Sequence, residues 1–98
     1  MEYKLIVKTL AEQDMTEAVE WYNKRAPHLM GYLIEEIDIA FGLLKKNPEN
    51  YQKRYNEVRV FFTDTFPYGI FYTIEDSTIF IHAFLHTKRN PKTGTERI

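Results

Sequence analysis

The chain has 98 residues, 13 Lys+Arg against 14 Asp+Glu, a formal net charge of −1 and no cysteine. That length suits one domain with one core, and the missing thiols exclude disulfides, thiolate metal sites and cysteine nucleophiles. Near-balanced charge excludes diffuse attraction to phosphates as the main source of affinity, so any nucleic-acid contact needs a local patch.

The first predicted element is a strand over residues 3–8, with Tyr3, Leu5 and Val7 on one face and Lys4, Ile6 and Lys8 on the other. Residues 1–4 do not resemble a targeting segment, so none is expected, and no apolar run approaches the roughly eighteen residues of a membrane span. The expected compartment is the cytoplasm, with no membrane partner. Thr9 followed by Glu12 is a capping-box signature and sets a helix over 10–26. Met15, Ala18, Val19, Tyr22 and Ala26 recur at helical spacing, with Trp21 at the border of that stripe and expected to be buried. Pro27 suits the first position of a second helix over 27–46. Leu29, Leu33, Ile37, Ala40 and Leu44 form its inner stripe, and Asn47-Pro48 stops it. Gly31 and Gly42 fall inside this helix, where close helix packing is the plain explanation. Two helices with almost no loop between them form an antiparallel hairpin.

After Pro48 the period changes from 3.6 to 2. Residues 49–56 read as a polar link, followed by strands over 57–63, 68–75 and 78–86. A two-residue turn at Asp76-Ser77 sets a register: Ile74 opposite Ile79, Tyr72 opposite Ile81, Ile70 opposite Ala83, Tyr68 opposite Leu85. These residues form the face toward the helices. The other face then carries Gly69, Phe71, Phe80, His82, Phe84 and His86, where a solvated sheet would show polar side chains. Three readings compete for it: a packing surface for a partner, a flank of a base-stacking site, or cover by the C-terminal residues. Residues 87–98 read as an irregular basic tail. The expected fold is α+β, a single domain over 1–98 ordered β-α-α-β-β-β. Its four-stranded, mainly antiparallel sheet has the helical hairpin on one face.

No glycine-rich phosphate loop, HExxH triad or nucleophile elbow is present. His82 and His86 lie about 13 Å apart on an extended strand, too far to share a metal; no metal or cofactor is implied. Charge is uneven: residues 1–50 hold 6 basic and 9 acidic side chains (−3), and residues 51–98 hold 7 and 5 (+2). Arg59, in an otherwise apolar strand, reads either as a paired surface arginine or as a positioned guanidinium. Arg89, after the last strand, reads either as an anion-binding rim or as part of a solvated tail.

The segments Ala18-Val19-Glu20-Trp21-Tyr22, Asn47-Pro48, Tyr55 with Val58-Arg59, Phe66-Pro67-Tyr68 with Ile70 and Tyr72, and Ile81-His82-Ala83 through His86-Thr87-Lys88-Arg89-Asn90-Pro91 resemble the RelE/ParE toxin superfamily, the plasmid stabilisation toxins of type II toxin–antitoxin modules. The resemblance covers residues 1–92 and implies that the first strand joins the sheet beside the last. It also implies a cognate antitoxin as partner and leaves homodimerisation open. Two targets are implied by two branches. The ParE branch poisons DNA gyrase by binding. The RelE branch cleaves mRNA on the ribosome, assisting attack of a 2′-hydroxyl on the adjacent phosphate with a cluster of basic residues. On this chain the catalytic positions of that second branch fall on Arg59 and Arg89, with Lys88 and His86 as auxiliaries. Gly69 stands where that branch has a further arginine, and Thr95 lies near its terminal tyrosine. Binding of partner or target is assigned to Phe71, Phe80, His82, Phe84, Tyr68 and Lys92. The expectation favours a binding toxin, with the endonuclease or a non-toxic member as alternatives.

Overall fold

The computed structural model describes residues 2–98. In chain order it contains β1 (Lys4–Val7), α1 (Thr9–Arg25), α2 (Pro27–Lys46), a 3-10 turn (Pro48–Asn50), β2 (Lys53–Tyr55), β3 (Val58–Phe62), β4 (Tyr68–Glu75), β5 (Thr78–His86) and α3 (Lys92–Thr95). The strands form one sheet in the order β1-β5-β4-β3-β2. β1 runs parallel to β5, and the remaining neighbours are antiparallel.

The helix boundaries follow local chemistry. Pro27 opens α2 without losing a helical hydrogen bond, and Asn47-Pro48 ends it. The capping box is not used: α1 begins at Thr9, and its N-cap Lys8 makes no side-chain cap. The link after α2 is more ordered than expected. Its 3-10 turn is tied to the sheet by the Tyr72 hydroxyl, which donates to the Pro48 carbonyl at 2.6 Å. Residues 53–55 then add a fifth, edge strand.

The helical hairpin covers one sheet face. Leu33, Leu44, Ile70, Tyr72, Ile79 and Ile81 are completely buried there, each aliphatic side chain contributing about 2 kcal/mol of transfer free energy. Trp21 is not part of this core: it is 48% exposed. It follows the stripe residue Ala18 by three positions but points along the outer border of α1.

The β4–β5 register holds near the turn, with Ile74 opposite Ile79 and Tyr72 opposite Ile81. It then shifts. Phe71 faces Ala83, Ile70 faces Phe84, and Tyr68 faces His86. His82 is the extra residue of a β-bulge, so side chains beyond it change face. Phe84 joins the helix-side core, while Ala83 and Leu85 lie on the outer face with Val58, Val60 and Phe71. The expected pairings Ile70–Ala83 and Tyr68–Leu85 are therefore not formed. Backbone groups freed at the bulge find other partners. The Phe84 N–H donates to the Asp14 carboxylate at 3.0 Å, and the His82 carbonyl accepts from Arg97 at 3.2 Å.

The C-terminal residues are not an irregular tail. They turn through α3 and pack onto the outer face of the sheet. A Cβ built on Gly94 would lie 2.6 Å from the Phe71 ring, so only glycine permits this approach. Arg97 closes the segment with a two-pronged pair to Asp14, at 2.5 and 3.1 Å.

Candidate functional site

Four of the residues singled out in the sequence meet in one cleft. Tyr68 and Phe84 reach it from β4 and β5 of the helix-facing side, His86 from the end of β5, and Arg89 from the turn that follows. Trp21 and Tyr22 of α1 form the opposite wall, with Glu17 at the mouth, around about 310 Å³. The bulge makes this cleft: without the change of face at His82, Phe84 and His86 would point to the other side.

The walls are aromatic and ordered. Tyr68 stacks on Phe84 at 4.5 Å and meets His86 edge-on at 5.6 Å. Tyr22 packs edge-to-face between Trp21 and Phe66. The Arg25 guanidinium lies 4.7 Å from the Trp21 ring, a cation–π contact that orients the exposed indole. Burial, and then Tyr22 beside it, raise the Tyr68 phenol above its ordinary range, so at neutral pH it is a hydrogen-bonding group and a poor base. His86 Nδ1 accepts the Lys88 N–H at 3.1 Å, and the Arg89 N–H donates to the His86 carbonyl at 2.9 Å. This tight turn places the exposed Arg89 at the cleft edge and leaves the Lys88 side chain in solvent. Such a cleft offers stacking surfaces, one cation and one imidazole.

Arg59 is elsewhere. It sits opposite Tyr72 on β3, while His86 sits opposite Tyr68; the four-residue interval along β4 is about 13 Å. Its guanidinium donates to the carbonyls of Tyr51 at 2.5 Å and Glu49 at 3.3 Å. Together with Tyr72 it holds the 3-10 turn against the sheet. The two arginines of the endonuclease reading are not brought together.

Nor do Phe71, Phe80, His82 and Phe84 form one exposed surface. Phe84 is on the helix side. Phe71 is 5% exposed, covered by Gly94 and stacked on Tyr55 at 6.2 Å. Of the three readings of the outer face, cover by the C-terminal residues describes Phe71. Phe80 is partly covered, with Lys8 Nζ 5.6 Å from its ring. His82 Nε2 lies 2.8 Å from Thr73 Oγ1; burial, with Lys8 nearby, lowers its pKa below the ordinary imidazole value. Lys92 is exposed at the start of α3. Gly69 is packed under its neighbours, since an added Cβ would lie 3.1 Å from Val60 Cγ1. Trp21, Tyr22 and Glu17 were missed as site residues. The signal was present in the half-polar, half-aromatic border of α1, but helical periodicity alone assigns such positions to the core.

Among the described residues, no group of His, Asp and Glu side chains is arranged to hold a metal, and no helix is long and apolar enough to cross a membrane.

A helical hairpin on one face of this sheet, with β1 parallel to β5, is the fold of RelE/ParE-type toxins. Among solved structures the chain is similar to one from the chromosomal ParDE toxin–antitoxin system of P. aeruginosa, with a TM-score of 0.78 at 13% identity, covering 89% of this chain and 98% of that one. It is also similar to a chain of the toxin–antitoxin complex RelBE2 from Mycobacterium tuberculosis, with a TM-score of 0.57 at 23% identity, covering 88% and 99%. No curated protein matches the chain. The family model described as the ParE toxin of the type II toxin–antitoxin system, parDE, matches residues 5–91. The chain belongs to this ParE toxin family.

Proposed function

We propose that this toxin acts by binding a cellular target, DNA gyrase, and that a cognate antitoxin neutralises it. The observation that supports a binding mode is the fate of Arg59. Cleavage at a phosphate needs cationic groups converging on the developing charge, and this guanidinium is committed to two backbone carbonyls at a distance from Arg89. The family match and the two similar toxin–antitoxin structures support an antitoxin partner.

A second reading, ribosome-dependent mRNA cleavage, draws on the convergence of His86, Tyr68 and Arg89 in one cleft. The two are separated by inducing the chain in cells and following plasmid supercoiling, gyrase-linked DNA breaks and mRNA integrity together. Binding to gyrase predicts growth arrest with altered supercoiling and intact mRNA, reversed by co-expression of the cognate antitoxin. Cleavage of A-site codons that disappears in Arg89→Ala, with supercoiling unchanged, would overturn the proposal.

A further inference from the structure

One line of large apolar side chains on α2 stands in solvent. Tyr32, Ile39 and Leu43 are 66%, 55% and 45% exposed. Their spacing of seven and four residues puts them on one face of the helix, and Lys46 continues that face three residues further on. They border a groove of about 450 Å³ between α2 and the segment 61–66, with Leu29 and Phe61 in its walls. The groove is held in shape from within. The Glu36 carboxylate accepts the Thr65 N–H at 2.7 Å and the Phe66 N–H at 2.9 Å, which fixes the loop after β3 against the helix.

The order of charges along this face selects its occupant. Glu35 lies one turn before Ile39, and Lys46 stands at the C-terminal end of the helix. Both are exposed, and among the described residues the salt bridges are Lys53–Glu57 and Arg97–Asp14, so neither is in an ion pair. The midpoint between Glu35 and Lys46 falls between Ile39 and Leu43. A second α2 laid antiparallel about that midpoint therefore sets the Glu35 of each copy opposite the Lys46 of the other, with apolar side chains from both between them. A parallel arrangement would set Glu35 against Glu35 and Lys46 against Lys46. A surface that carries both signs about an apolar centre complements itself, as an isologous twofold interface requires. A nucleic acid or an anionic lipid surface would suit only the lysine end.

We propose that this face of α2 is a homodimer interface. A second copy of the chain lays its own α2 antiparallel across the first, with Ile39 and Leu43 of both copies at the centre and a Glu35–Lys46 pair at each end. None of these four residues lines the aromatic cleft. Dimerisation of this kind is independent of which target the toxin poisons.

The test is the mass of the purified full chain by sedimentation equilibrium between roughly 1 and 100 μM. A monomer–dimer equilibrium is expected within that range. Glu35→Lys and Lys46→Glu are each expected to weaken association by about tenfold or more, because each creates two like-charge contacts across the twofold axis. Mixing the two variants is expected to restore association, since both pairs of the mixed dimer are again of opposite sign. Ile39→Glu is expected to leave a monomer. Ile34→Glu, at an exposed position on the α1 side of the same helix, is expected to leave the dimer unchanged. Urea midpoints show that each variant is folded. A parent chain that stays monomeric throughout the range, with Ile39 covered only once the cognate antitoxin is added, would overturn the assignment. So would a dimer that neither charge reversal weakens, or one that the mixture fails to restore.

Discussion

Asp14 shows how much one side chain can organise in a small domain. Its carboxylate accepts from Arg97 and from the Phe84 N–H, so it joins α1 to both the β-bulge and the C-terminal segment. Both charges are largely buried, and removing one partner of such a pair leaves the other uncompensated. Asp14→Ala is expected to cost about 3 kcal/mol in urea unfolding, and Arg97→Ala about half of that, because Asp14 keeps its backbone donor. No sequence pattern links these two residues, which lie 83 positions apart; only the closed fold brings them together. Trp21→Ala, in contrast, is expected to cost less than about 1 kcal/mol, since the indole is half in solvent. Its effect should appear in toxicity, through the cleft wall. His82 gives a pH prediction. Its pKa in the folded chain lies below the ordinary value of 6.5, so the unfolded chain binds the extra proton first. Its contribution to stability is therefore complete above about pH 6.5 and is lost as pH falls through the lower folded-state value. His82→Gln is expected to flatten the decline in urea midpoint between about pH 7 and pH 5 relative to the parent chain.

At the scale of elements, punctuation was legible and face was not. Pro27 and Asn47-Pro48 mark both ends of α2 by local backbone chemistry. The run Ile79-Phe80-Ile81-His82-Ala83-Phe84-Leu85 offers apolar side chains to both faces, so alternation gave no contrast by which to detect the bulge. β2 escaped notice because three residues, Lys53, Arg54 and Tyr55, are too few to show a period. The glycines divide by what surrounds them. Gly94 lies against the Phe71 ring, and Gly94→Val is expected to destabilise by about 1–3 kcal/mol through overpacking, with hydrogen exchange rising at the α3 amides. Gly42 faces open space, and Gly42→Ala is expected to stabilise by about 1 kcal/mol, read as a higher urea midpoint at unchanged slope.

For the molecule as a whole, the fold class was legible because each half of the sequence keeps one hydrophobic period, and the candidate site was half legible. Tyr68, Phe84, His86 and Arg89 converge because the bulge and the closing turn bring them to one end of the sheet, whereas Arg59 is drawn away by the 3-10 turn it supports. The binding mode predicts that Arg59→Ala lowers stability and toxicity in parallel, while Arg89→Ala lowers toxicity at an unchanged urea midpoint; paired growth and unfolding measurements check both. The position of β1 has a consequence for synthesis. Its hydrogen-bonding partner is β5, more than seventy residues later, and the fully buried strand residues of the face that α1 and α2 cover all come from β4 and β5. While the ribosome is making the first half, the helical hairpin has no strand pair to cover, and the aromatic cleft has only its α1 wall. A newly made chain therefore completes its sheet only when β5, its last strand, inserts between β1 and β4. Until then the apolar stripe of the hairpin stays uncovered, and the fold that defines the toxin does not exist.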